Sequence, residues 1–210
     1  MAKLDENYFI AGEKDIKSIQ DLISEDEQIL WTGKPKKSAF LLNAFFKMFP
    51  IAIIWLCFDA GFISILFTTG ENFGGMTIFF IIFFMFHLLP VWIWLYNIIT
   101  ANKKYKNIEY AFTNKRIIIK TGVIGIDFKS IYYSNINSVN LRVGLIDKMM
   151  KVGDIYINST SNAAVIYDIE NPYFISQKLQ EIVADIKTDI EFPNDLRPDS
   201  NGGYHTRYKK

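Results

Sequence analysis

Two stretches of this chain abandon the polar and apolar alternation of a water-soluble element. From about residue 48 to 67, and again from about 76 to 96, apolar side chains occupy every face of a helix, as in IFFIIFFMFHLLPVWIWL. A helix packed on one side of a soluble core keeps a polar face. About 20 residues apolar all round match a hydrocarbon layer roughly 30 Å thick. Both stretches are therefore predicted to cross a membrane. The segment between them, 68–75, is short, contains glycine and carries no Lys or Arg, which forces an antiparallel hairpin.

Charge at the span ends sets the orientation. Lys34, Lys36, Lys37 and Lys47 precede the first span, and Lys103, Lys104 and Lys106 follow the second. Such cations mark the cytoplasmic side, so both termini are expected there, in a multi-pass membrane protein. Trp92, Trp94 and Tyr96 stand where an interfacial aromatic belt belongs. Residues 38–47, SAFLLNAFFK, read as an interfacial lead-in helix outside the span.

Within the spans, Asp59 and His87 are out of place. An ionised Asp at mid-bilayer costs at least about 2.5–3.5 kcal/mol, so it demands a partner or a proton. At 1.5 Å per residue the two lie within about one helical turn of each other in depth. They are expected to meet as a polar clasp; the alternative is a proton path through a small oligomeric channel. Cys57, Ala60, Gly61 and Ser64 recur at helical spacing as a stripe of small residues, the kind that lets spans approach closely. Asp59 points nearly opposite to that stripe. With Asp59 turned toward His87, the stripe is left for another surface, and a second copy of the chain is the simplest one.

Beyond about residue 107 the period changes to two. Ile108, Tyr110 and Phe112 alternate with Glu109 and Ala111, and a polar turn at 113–116 leads into 117–120. Further strands are predicted at 126–133, 138–143, 154–158 and 164–169, separated by Gly, Asn, Asp and Ser. Asn171 and Pro172 then open a helix, along which Ile175, Leu179, Ile182, Val183 and Ile186 recur with helical period. That stripe needs an open end of a β-barrel to bury against. Asp154, after Gly153, reads as a turn residue entering its strand.

The predicted fold class is a membrane α-helical hairpin of two spans plus a mainly-β barrel or sandwich closed by a C-terminal α-helix. Residues 1–38 form a cytoplasmic segment with a lead-in strand, 39–100 the hairpin, 103–187 the β domain and 188–210 a disordered tail. In the first segment, Ile16, Ile19, Leu22 and Ile23 share one helical face and are expected to dock on the domain.

Several motifs resemble one family. They are EQILWTGKP at 27–35, the hairpin YAFTNKRIIIK at 110–120 with Gly122 after it, the stretch 131–139, and VGDIYI at 152–157. With the order of lead-in, two spans and one β domain, the chain resembles the bacterial PH domains of YdbS/YdbT-like membrane proteins, formerly a domain of unknown function. The likeness implies a PH-like fold and a place in the bacterial cytoplasmic (inner) membrane. In eukaryotic PH domains basic residues of the first hairpin hold lipid headgroups, which makes Lys115, Arg116, Lys120 and Lys129 candidates for headgroup or membrane contact. Fold alone does not transfer that role.

Composition narrows the function further. Lys+Arg 23 against Asp+Glu 22 gives no field that would attract nucleic acid. One cysteine, Cys57, and two histidines, His87 and His205, leave no intramolecular disulfide, no thiolate metal cluster and no His-based zinc site. The acidic start carries no signal-peptide pattern. No Ser–His or Cys–His pair and no phosphate-binding glycine loop is present, so no enzyme activity and no cofactor is expected. The expected partners are the lipid bilayer, an unidentified membrane or cytoplasmic protein, and a second copy of the chain. The basic end at Arg207, Lys209 and Lys210 reads as solubilising.

Overall fold

The computed structural model describes residues 16–68, 74–160 and 162–191. Period-two segments become seven strands in two antiparallel sheets. Strands β1 (Ile29–Gly33), β2 (Glu109–Thr113), β3 (Arg116–Thr121) and β4 (Asp127–Tyr132) form the first sheet, in that order. Strands β5 (Ile136–Arg142), β6 (Val152–Ser159) and β7 (Ala163–Glu170) form the second.

Alternate residues of both sheets point into one shared core. Tyr110, Phe112, Ile117, Ile119 and Ile131 meet Val139, Ile155, Ile157, Ile166 and Ile169. The amphipathic helix α6 (Pro172–Glu191) closes this core with Leu179 and Val183. Each fully buried Ile contributes about 1.5–3 kcal/mol. Asn171 enters α6 with φ 52°, and its carbonyl accepts the Ile175 amide at 3.1 Å. Helix α6 runs to Glu191, so residues 188–191, expected in the disordered tail, are helical. The remainder of that tail, 192–210, lies outside the described residues, as does most of the 68–75 loop.

The register of β1 redraws the domain. Thr32 lies opposite Ala111 and Gly33 opposite Tyr110, and the Trp31 ring lies tilted against Phe112 with 4.6 Å between centroids. Yet the described helices within residues 37–68 and 77–107 all lie between β1 and β2 in the chain. The β domain is thus discontinuous, with the helices inserted between its first two strands, and a boundary at 103 omits one strand. On the outer face of the first sheet, Ile19 from a short 3-10 turn (Ile19–Leu22) covers Ala111 and Ile118. The expected docking surface is there, but it is one tight turn rather than an α-helix.

Helices α1 (Lys37–Phe46) and α2 (Phe49–Thr68) join into one run, Lys37–Thr68. By itself it is long and apolar enough to cross a membrane. The second expected span differs from a straight helix. Helices α3 (Thr77–His87) and α4 (Leu89–Asn107) meet at a 51° bend. Pro90 explains it, because proline lacks an amide hydrogen and its ring excludes the carbonyl four residues earlier.

The lead-in helix α1 packs on the β domain, with Ala39 fully buried and Phe40 against the main core. It also runs beside α4, where Trp94 Nε1 donates to the Phe45 carbonyl at 2.9 Å. One helix had no counterpart in the sequence reading. Helix α5 (Leu145–Met150) links β5 to β6, and its Asp147 accepts the Gly144 amide at 2.8 Å.

Candidate functional site

Helices α2 and α3 bring Asp59 and His87 together. His87 Nδ1 lies 2.8 Å from Asp59 Oδ1, and the Asp59 carboxyl is almost sealed. The pair is a close polar contact whose angles fall short of a regular hydrogen bond. Rings of Trp55, Phe58 and Phe83 stand 5.8, 5.6 and 5.1 Å from the imidazole. That apolar sheath keeps water away and strengthens the contact. The stripe of Cys57, Ala60, Gly61 and Ser64 is exposed, and no atom lies within 4 Å of the position a Gly61 side chain would occupy.

The four candidate cations of the hairpin do not make one patch. β2 leaves α4 at Glu109 and β1 enters α1 after Gly33, so the helices attach at one end of the first sheet. The β2–β3 turn bearing Lys115 and Arg116 lies at the opposite end, about 13 Å further along the strands. Lys120, opposite Glu109, sits at the helix end.

Each cation already has a partner. Lys115 pairs with Asp26, and Lys129 donates to the Ala163 carbonyl. Lys120 Nζ donates to the Lys17 carbonyl at 2.6 Å.

Arg116 is the most firmly held of the four. Its Nε and one terminal nitrogen each donate to the Glu27 carboxylate at 2.9 Å, in a two-pronged fork. Glu27 also accepts the Thr113 hydroxyl at 2.7 Å. Burial pushes the Glu27 carboxyl upward, but the bonds from Arg116 and Thr113 outweigh it and hold the group below its usual range. The bond to Glu27 in turn raises the Arg116 guanidinium. Sequence reasoning offered Arg116 for headgroup or membrane contact; in the structure it anchors the segment before β1.

A second polar centre, at the junction of α1 with the β domain, escaped the sequence reading. Asn43 Nδ2 donates to Asp147 Oδ1 at 2.9 Å and to Asp168 Oδ1 at 2.6 Å. The Asp168 amide donates to Asp154 Oδ1 at 2.9 Å, with Asp168 at φ 50°. Lys36 completes the joint: its amide reaches the Asp168 carbonyl at 2.8 Å and its Nζ the Met150 carbonyl at 3.0 Å. Lys36 Nζ also pairs with Glu170 at 3.3 Å.

Burial, with the Asp154 charge beside it, pushes the Asp168 carboxyl up to about 7. Burial likewise raises Asp154. The only local signal was a lone Asn inside the apolar run SAFLLNAFF.

Four antiparallel strands, three more, and a closing C-terminal helix define a PH-like sandwich. The family model of the bacterial PH domain matches residues 47–187, over half of the chain, and the chain belongs to that family. The match takes in α2–α4 and omits β1. No curated protein and no solved structure matches the chain. A PH-like domain of this kind is an interaction or lipid-binding module.

Proposed function

We propose that this protein is a membrane-anchored PH-like interaction module at the cytoplasmic face, organising protein partners or itself there without catalysing a reaction. The observation that carries this reading is the apolar surface of α2 and α3. Ile54, Phe58 and Ile65 on one helix are each 62% exposed, and Ile78 and Phe86 on the other 69% and 65%. Surface of that extent calls for lipid or protein cover.

In this reading the run Lys37–Thr68 crosses the bilayer, and the bent pair α3–α4 returns as the second limb of a hairpin. The clasp of Asp59 and His87 ties the limbs together. Lysines at both outer ends keep the β domain and both termini in the cytoplasm. The exposed stripe of small residues is left for a second copy of the chain. Headgroup sensing by the hairpin cations has less support, because each of them serves the fold.

Fractionation tests the anchoring. The full-length protein should stay in carbonate-washed membranes, and protease added to sealed right-side-out cells should spare the β domain. Recovery in the detergent-free supernatant would remove the reading.

A further inference from the structure

Helix α5 exposes two large apolar side chains on one face. Leu145 is 87% and Met149 81% exposed, and their i,i+4 spacing places them one above the other. Single exposed apolar residues are ordinary; two on one side of a six-residue helix, with exposed Lys148 and Lys151 around them, form an amphipathic foot.

The position of α5 says what covers the foot. Asp147, on the other side of the helix, is fixed to Asn43 of α1, so α5 rides beside the limb that continues into α2. Asn43 precedes the start of the apolar span at Met48 by about 7 Å of helix axis. The headgroup layer is itself roughly 5–7 Å deep on each side. The foot therefore stands at headgroup level, with its one acidic residue turned inward. Arg142, Lys148 and Lys151 are exposed around it, complementary to an anionic leaflet.

Resting on the membrane reading above, we infer that α5 is a second membrane contact. Leu145 and Met149 dip into the headgroup and acyl boundary, Lys148 and Lys151 engage anionic lipid, and the β domain is held against the bilayer in one orientation. A β domain oriented by α1 alone, with α5 left in water, is the competing picture.

Site-directed fluorescence separates the two. In a full-length Cys57→Ser background, single cysteines replace Leu145, Met149, Ser134 or Ile81 and carry an environment-sensitive fluorophore. The protein is reconstituted in phosphatidylethanolamine and phosphatidylglycerol vesicles with or without brominated acyl chains. Ser134 follows β4 at the sheet end remote from the helices, and Ile81 lies in the α3 limb.

Blue-shifted emission and strong loss of intensity by bromine are expected at 145, 149 and 81, with neither at 134. Quenching at 81 with water-like emission at 145 and 149 would overturn the foot and leave the anchor standing. Unquenched emission at 81 would remove the anchor and the foot with it.

Discussion

Glu27 is nearly sealed from water, and its charge is tolerable there because Arg116 meets it with parallel hydrogen bonds. Arg116→Ala orphans that carboxylate and should cost about 3–5 kcal/mol, read as a lower midpoint in denaturant unfolding of the micellar protein. Lys115→Ala, which breaks an exposed pair with Asp26, should leave the midpoint unchanged. No local pattern reveals the difference, since Glu27 and Arg116 stand 89 residues apart. Asp168 carries the pH dependence. Its carboxyl holds a proton in the fold up to about 7, against 3.8 for an ordinary Asp. Between those values the unfolded chain has ionised while the folded one has not, so stability falls as pH rises through the window. Above about 7 both states are ionised and the loss is complete, on the order of 2–4 kcal/mol. Asp168→Asn mimics the protonated form and still accepts from Asn43. It should flatten the profile and raise the melting temperature at pH 8, measured by thermal unfolding across pH.

Elements differ in how openly the sequence declares them. The β2 and α6 periodicities were legible because their apolar residues repeat locally, and the depths of Asp59 and His87 followed from helical rise alone. Helix α5 was not legible, because six residues hold too little periodicity to register. The bend between α3 and α4 was written in Pro90, but uniform apolarity around it hides a break that hydrophobic patterning alone does not sense. Within the helices, His87→Ala removes the partner of Asp59 and should lower the melting temperature of the micellar protein. Asp59→Asn should cost less, since the amide keeps a polar contact; thermal unfolding in micelles compares the two. On the β domain, Ile19 has no exposed surface and fixes the N-terminal turn over Ala111 and Ile118. Ile19→Ala should weaken that docking by about 2–4 kcal/mol. Limited proteolysis should then cut within residues 16–24 sooner, while the sheets stay intact.

At the scale of the whole molecule, the helices are an insertion in a sandwich rather than an anchor ahead of one, and this decides what folds alone. A fragment of residues 103–187 lacks β1, so Phe112 loses Trp31 and Arg116 loses Glu27. It also lacks α1, so Asp147 and Asp168 lose the Asn43 amide that bridges them. Its exposed β2 edge invites association. The insertion has a natural place to be shortened, because the Phe45 carbonyl touches Trp94 Nε1 at 2.9 Å. Joining residues 16–45 to 97–191 by a short Gly/Ser linker keeps β1, α1 and the outer half of α4, and deletes the apolar limbs. This chain should be soluble and monomeric by size exclusion, with sharp near-ultraviolet circular dichroism and a cooperative melt. The 103–187 fragment should aggregate or melt without cooperativity. Equal folding of the two would mean that β1 is dispensable, and the sandwich would then be completed after α4 alone. The physical reason to expect otherwise is that the buried charge of Glu27 and the Trp31 ring arrive only with the strand before the helices.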